Sequence, residues 1–304
     1  MAEAAARPRV GFAGEHGAFA EDAALAFFET PEPVPVPTFR DVFDAVAAGP
    51  DPLDAGVLPI ENLVTGTVRE VYDLLLEHEL VIRGEVIVPV GLVLAALPGE
   101  RLESVERIYS HVQALGQAER FLRSRPWELL TTYNTAGSGK RIAERRERGA
   151  AAVLSARAAE RFGLAVLADD IQDRPGNRTR FLVLARPAEG GGEPLPPGLP
   201  ETWLKRRPGE LGDVPMRTTL VMALANEPGS LHRCLGVFAS AGLNLSKLES
   251  RPSRSGAWEY VFWIDLDADA RAAATRVAVA ELQGLAVSVR VLGSYPRADE
   301  PADD

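Results

Sequence analysis

Apolar positions run along the chain in short blocks, and the character of the blocks changes once. Up to about residue 185, strand-like and helix-like patterns alternate. Val10 to Ala13 reads as a strand, Ala18 to Phe28 as a helix and Ala55 to Pro59 as a short buried strand. Thr67-Val-Arg-Glu70 has capping-box spacing. Behind it Val68, Val71, Tyr72 and Leu75 share one helical face. Val86 to Leu97 is strand-like. Ile108 to Ser110 leads into a helix through Leu122, and Asn134 or Thr135 can cap another through Glu147. Ala151 to Leu154 is a strand, Ser155 caps a helix, and Gly163 ends it. Thr179 to Ala185 is a near-continuous apolar strand. This alternation predicts an α/β fold with largely parallel sheets.

From Arg186 to Pro215 the periodicity stops and Pro and Gly become dense, which predicts an inter-domain linker. Trp203 and Leu204 stand out within it as apolar residues able to dock on a neighbour. Beyond it come a strand at Thr218 to Ala225 and a helix between Pro228, in its first turn, and Gly242, at its stop. A strand at Leu243 to Ser250, a turn at Arg254-Ser-Gly256 and a strand at Trp258 to Leu266 follow. A helix at Ala268 to Gln283 and a strand at Ala286 to Leu292 complete the order βαββαβ, which is ferredoxin-like.

Composition narrows the function classes. In 304 residues, 46% are hydrophobic and 25% charged, as in a folded globular chain. The net charge of −10 argues against nucleic-acid or anionic-membrane partners. The longest apolar run, interrupted by Pro89 and Gly91, is shorter than the ~20 residues a bilayer needs. Met1 to Arg9 has no apolar core of signal-peptide length. A single cysteine, Cys234, excludes an internal disulfide and fits a reducing, cytoplasmic setting.

Several motifs fail. Gly11, Gly14 and Gly17 are spaced G-x-x-G-x-x-G, not as in a dinucleotide-binding turn. Gly137-Ser-Gly-Lys140 lacks the first glycine and the Ser/Thr of a P-loop. His16, His78, His111 and His232 are scattered and make no metal site.

Four polar groups wedged against apolar strands hold up better. They are Glu61-Asn62 ahead of Thr65-Gly66-Thr67; Ser110-His111-Val112-Gln113 with Gln117; Asn134-Thr135-Ala136-Gly137-Ser138; and Ile171-Gln172-Asp173 followed by Asn177-Arg178-Thr179-Arg180-Phe181. Strand carboxyl ends and helix starts are where open α/β sheets bind anionic ligands. Each group singly is also explained as a cap, a turn or a solvated strand end.

Together, in this order, these segments resemble the motifs of the prephenate dehydratases. Glu227-Pro-Gly-Ser-Leu231 and Leu248-Glu-Ser-Arg-Pro252 resemble the two signatures of the ACT regulatory domain in those enzymes. The sequence departs from the family at Leu63, Ala18 and Ala20. Gly17-Ala-Phe19 and Tyr72-Asp-Leu-Leu-Leu76 also resemble arogenate dehydratases.

The resemblance implies a two-lobed, periplasmic-binding-protein-like catalytic domain over 8–186. One lobe takes 8–80 and 174–186, the other 81–173. A linker at 187–215 and an ACT domain at 216–296 would follow. The implied activity is that of a carbon–oxygen lyase, converting prephenate to phenylpyruvate in phenylalanine synthesis without a cofactor or metal. Arogenate dehydratase and an inactive amino-acid sensor are the alternatives. Thr179 would donate to the departing hydroxyl, with Glu61, Asn62, Ser110 and Gln117 orienting the substrate. Arg180 would clamp a substrate carboxylate bidentately. Thr135 is a second anion candidate, and Asn177 and Phe181 complete the implied substrate set. Phenylalanine would bind the ACT domain through Gly229, Ser230, Leu231, Asn244 and Leu245. Glu249, Ser250, Arg251 and Pro252 would support that site in a homodimer or homotetramer.

Overall fold

In the computed structural model, residues 7–48, 52–187, 199–205, 214–252 and 260–299 are described. The first lobe starts with β1 (Arg9–Ala13), α1 (Phe19–Phe27), β2 (Glu32–Val36), α2 (Phe39–Ala48) and β3 (Ala55–Asn62). A two-residue β4 (Gly66–Thr67), α3 (Arg69–Glu77) and β5 (Val81–Pro89) follow. The chain then crosses to a second lobe of β6 (Val93–Ala96), β7 (Arg107–Ser110), α4 (Val112–Gln117), α5 (Glu119–Leu122), β8 (Glu128–Thr131), α6 (Thr135–Arg145), β9 (Ala150–Leu154), α7 (Ala156–Arg161) and β10 (Ala165–Ala168). It returns as β11 (Arg178–Ala185).

The sheets are mixed rather than largely parallel. The first has the order β2-β1-β3-β11-β5 with β4 on β3, the second β10-β6-β9-β7-β8. β1 pairs in parallel with β2 and β3, but β11 is antiparallel to both β3 and β5. The physical reason is the crossover. β5 carries the chain out of the first lobe, so the returning β11 must run the other way between the two outgoing strands. The apolar run 86–97, read as one strand, is two strands in different sheets. The chain therefore leaves the first lobe at 90–92, ten residues later than expected from the sequence. The outgoing and returning segments are bonded to each other. Val90 N–H donates to Asn177 O (2.8 Å), Ile171 N–H to Leu92 O (3.0 Å), and Leu92 N–H to Gln172 Oε1 (2.9 Å).

Local chemistry explains the element ends. Thr38 and Asp41 form a reciprocal box at the start of α2, with Asp41 N–H on Thr38 Oγ1 (3.1 Å) and Thr38 N–H on Asp41 Oδ2 (2.9 Å). The box expected at Thr67 does not form. Val68 is the cap residue of α3 and makes no side-chain cap bond. Thr67 lies in β4, and its hydroxyl donates instead to Glu249 Oε2 at 3.1 Å. Asn134 and Ser155 cap α6 and α7 as expected. Ala18 leaves α1 without a side-chain cap.

Trp203 and Leu204 dock on the end of α1. Leu204 bridges to Phe28, and both pack on the core around Phe12, Phe28 and Val57. The C-terminal domain is β12 (Met216–Ala223), α8 (Ser230–Ser240), β13 (Leu245–Pro252), β14 (Tyr260–Leu266), α9 (Ala273–Leu285) and β15 (Ser288–Pro296). Its antiparallel sheet, ordered β13-β14-β12-β15, is the expected βαββαβ arrangement. Gly229 caps α8, so Pro228 stands before the helix rather than in its first turn. The 254–256 turn lies outside the described residues.

One face of this sheet packs on α8 and α9 through Leu220, Met222, Ile264 and Leu266. The other joins the first lobe's core. Val221, Val261, Trp263, Leu292 and Tyr295 share one apolar cluster with Val42, Ile60, Tyr72 and Leu75. β15 runs so close to β5 that a Cβ on Gly293 would lie 2.2 Å from Ile82 O.

Candidate functional site

The expected chemistry gathers on two neighbouring strands. β3 and β11 pair so that Thr179 faces Asn62 and Arg180 faces Glu61. Side chains alternate across a strand, so Asn62 and Thr179 share one face of the sheet and Glu61 and Arg180 the other. A register shift, a bulge, falls between Arg180 and Phe181.

On the first face, Asn62 Nδ2 donates to Thr179 Oγ1 at 2.9 Å and to Arg178 O at 3.2 Å. Asn62 Oδ1 accepts from Val64 N–H (2.9 Å), Thr65 N–H (3.0 Å) and the Thr65 hydroxyl (3.2 Å). Those donors fix which end of the amide is oxygen, so the NH₂ must point at Thr179. A hydroxyl that accepts such a bond keeps its own hydrogen to donate outward. Donation to its oxygen also stabilises negative charge there. Two residues before Thr179, Asn177 is buried, and neither polar atom of its side chain has a hydrogen-bond partner among the described residues.

On the second face the sequence expectation fails. Arg180 does not point into the cleft. Its guanidinium meets Asp265 Oδ2 (2.9 Å) on β14, Glu85 Oε2 (3.4 Å) on β5 and Glu61 Oε2 (3.7 Å). Burial opposes the charge of Arg180, but Asp265, Tyr295 and Glu85 outweigh it and hold the guanidinium above its ordinary pKa. Glu61 pairs with Lys247 Nζ of β13 at 2.9 Å, so it faces the C-terminal domain rather than a substrate. Arg217 of β12 completes the cluster on Glu85 at 2.7 and 2.6 Å. Three carboxylates thus face three cations, a neutral set that spares the buried Glu85 and Asp265 an unpaired charge, while Glu61 stays partly exposed. The Tyr295 hydroxyl, bonded to Thr219 (2.7 Å), is pushed well above its usual pKa by burial and by Asp265 and Glu85.

Phe181 is also corrected. It is buried in the first lobe's core with Val10, Phe12, Val57 and Val183, because β11 is covered on that face by α1. Ser110 is fully buried, and its hydroxyl donates to Val153 O at 2.6 Å. It ties β7 to β9 rather than reaching a ligand. Gln117 ends α4, its carbonyl accepting from Asp173 N–H at 2.6 Å. Thr135 is the first residue of α6, behind the Asn134 cap. His111 caps α4 through Nδ1, and burial lowers its pKa, which keeps that nitrogen free to accept.

The two lobes meet along the first glycine-rich loop. Glu15 accepts from Tyr133 OH (2.9 Å) and Lys140 Nζ (3.0 Å), and Ser155 Oγ donates to Gly17 O (3.0 Å). A Cβ on Gly17 would lie 2.8 Å from Ala158 Cα, and Gly17 has a φ of +90°. Here the backbone approach itself requires glycine.

In the C-terminal domain the expected effector residues do not converge within one chain. Gly229 (φ +81°) and Ser230 follow the end of β12 at Ala223, whereas Leu245 pairs with Leu266, which pairs with Thr218 at the start of β12. The two groups stand at opposite ends of the sheet. The Asn244 amide is taken by Asp267 Oδ2 (2.7 Å), and Leu231 and Leu245 pack on the domain's own core. Glu249 accepts from Thr67, and Arg251 donates to Asp73 Oδ1 at 2.8 Å, so both hold the first lobe. Ser250 and Pro252 are exposed on this edge strand.

Asp265, Glu85, Arg217 and Lys247 were not singled out from the sequence. The available signal was an acidic residue inside an apolar strand, in Val81–Pro89 and in Tyr260–Leu266.

Comparison with known proteins agrees with this layout. A family model described as prephenate dehydratase matches residues 10–189, and one described as ACT domain matches 218–280. Arogenate dehydratase 2 of Petunia hybrida is 38% identical over 310 residues, covering 97% of this chain and 73% of that protein. A prephenate dehydratase from Arthrobacter aurescens, solved in complex with L-Phe, is 31% identical with a TM-score of 0.79, over 97% of this chain and 93% of its own. A solved protein described as GqqA, a novel type of quorum quenching acylase, is 28% identical with a TM-score of 0.80, over 95% and 97%. Among the described residues, no helix is long and apolar enough to cross a membrane.

Proposed function

Because the chain belongs to the prephenate dehydratase family and carries an ACT domain, we propose that it converts prephenate to phenylpyruvate under control by phenylalanine. The observation that carries the reading is the Asn62–Thr179 hydrogen bond, in which the Thr179 oxygen accepts and its O–H stays free to donate.

In this reaction the ring hydroxyl takes up one proton, ultimately from solvent, and departs as water; the ring carboxylate departs as carbon dioxide, leaving its bonding pair to the ring, which becomes aromatic. The product ring supplies the driving force, so the protein must assist the hydroxyl and avoid over-stabilising the carboxylate. Thr179 is the oriented donor to the departing hydroxyl, because a threonine hydroxyl is too weak an acid to be a free proton source near neutrality. Asn62 sets its direction. Asn177 offers its unpaired amide to the substrate. With Arg180 committed elsewhere, the start of α6 at Thr135 is the remaining anion site of the sequence reading, and helix N-termini favour anions. Closure of the lobes around Glu15, Tyr133 and Lys140 excludes water from the cleft.

Phenylalanine is assigned to the ACT domain around Gly229, Ser230 and Leu231, where the αL backbone of Gly229 opens α8. Since Asn244 and Leu245 lie at the far end of the sheet, a complete site needs a second chain, which supports a homodimer or homotetramer. The buried, unpaired Cys234 accords with a reducing cytoplasm.

Turnover of the purified chain with prephenate and with arogenate, each with and without phenylalanine, tests the reading. Phenylpyruvate formed from prephenate and suppressed by phenylalanine is expected. Preference for arogenate, the substrate named for the Petunia relative, moves the specificity and keeps the chemistry. No product from either substrate overturns the reading in favour of an amino-acid sensor.

A further inference from the structure

We propose that the C-terminal domain grips the Asn62–Thr179 pair from behind, with Asp265 and Lys247 as positioning residues for it. This rests on the reading of Thr179 as the donor. Each of the two strands that supply the pair presents a charge at the adjacent position on the opposite face. On β11, Thr179 is followed by Arg180, held by Asp265 at 2.9 Å. On β3, Asn62 is preceded by Glu61, held by Lys247 at 2.9 Å. The anchors sit on adjacent strands of the C-terminal sheet, where Lys247 pairs in register with Asp265. Two neighbouring residues of one domain therefore hold the two residues that back the site.

The purchase falls at a weak point. The ladder between β3 and β11 slips between Arg180 and Phe181, one residue beyond Thr179. Bulges beside active sites re-aim side chains, and the ladder is locally disrupted there. Asp265 is itself fixed by the Thr219 hydroxyl on Oδ1 (2.7 Å), which also meets Tyr295 OH. Lys247 is steadied over the Tyr72 ring, 5.5 Å from its centroid, and Tyr72 stacks edge-on with Trp263 at 4.8 Å. A shift of β13 or β14 moves Glu61 and Arg180 together, and with them Asn62 and Thr179. An effector bound to this domain thereby acquires differential contact with two arrangements of the catalytic pair, which coupling requires.

The test is Asp265→Asn in the full chain. It keeps the shape and leaves Arg180 short of one carboxylate. Misplacement of a reacting group by about 1 Å can cost about a hundredfold. The expected result is a kcat lowered roughly tenfold or more with KM within about twofold. Inhibition by phenylalanine weakens at least about fivefold while phenylalanine still binds by calorimetry. Asp265→Glu, which restores the carboxylate, recovers part of kcat. Amide exchange followed by mass spectrometry supplies a readout apart from turnover. Peptides spanning 58–65 and 177–182 exchange faster in Asp265→Asn than in the parent, whereas those of α8 and α9 do not. If Asp265→Asn does not melt cooperatively, Lys247→Met carries the same expectations. Parental kcat, parental inhibition and parental exchange in a folded variant overturn the proposal. If the parent turns over neither substrate, the donor reading falls and the exchange comparison alone decides the grip.

Discussion

Thr179 and Arg180 are one peptide bond apart and do unrelated work, because a strand sends consecutive side chains to opposite faces. Thr179 meets Asn62 on one face of the sheet, while on the other Arg180 meets Glu85 of β5 and, across a domain boundary, Asp265. The expected carboxylate clamp by Arg180 fails for this reason, since only Thr179 shares the face of Asn62. If Thr179 is the donor, as proposed, replacing it by Ala removes that donor, and losing one such donor costs about 10²–10³ in kcat. Thr179→Ala should fall in that range with an unchanged melting temperature, and Thr179→Ser should retain most of the activity. Steady-state kinetics beside a thermal melt checks both. Equal losses in the two variants would mean that the methyl group, not the hydroxyl, matters.

Elements fit because of what they omit as much as what they carry. Gly293 lets β15 pass against β5, where any side chain would meet the Ile82 carbonyl at 2.2 Å. That carbonyl belongs to backbone and cannot swing aside. Gly293→Ala must separate the C-terminal sheet from the first lobe, and overpacking of this kind costs about 1–3 kcal/mol. Chemical denaturation should show an unfolding free energy lowered by that amount, seen as a lower midpoint at unchanged slope. An unchanged midpoint would show that the two sheets slide freely. Thr67 teaches the complementary lesson. Its spacing to Glu70 imitates a capping box, yet the hydroxyl binds Glu249, and the real box at Thr38 uses Asp41. A four-residue pattern cannot reveal that a partner 182 positions away competes for the same hydroxyl.

At the scale of the molecule, the regulatory and catalytic parts share a core. Val221, Val261, Trp263, Leu292 and Tyr295 are buried against Ile60, Tyr72 and Leu75, and the charge cluster lies inside the same interface. Fully burying one such side chain is worth about 1.5–3 kcal/mol. A fragment ending at residue 189 should therefore melt at least about 5 °C below the full chain and bind a hydrophobic dye that the full chain excludes. The full chain should unfold in a single transition. Two separate transitions, with the lower one matching neither part's exposure of apolar surface, would refute a shared core.

The sequence by itself determined the α/β class and many of the elements, though not β2, α2, β8 or β10. The period of apolar residues, the caps at Asn134 and Ser155 and the βαββαβ order of the last part all depend on near neighbours, and near neighbours are legible in a string. It also placed Asn62, Asn177 and Thr179 among polar groups set against apolar strands, and it was the resemblance to a family, not the local pattern, that gave them roles. Tertiary structure alone decided which face each residue presents and what lies across it. Alternation along β3 and β11 fixes only that Glu61 and Arg180 point away from Asn62 and Thr179. That they point at Lys247 and Asp265 follows from a sheet that folds more than thirty residues after β11 ends. Nothing local to either strand records its approach.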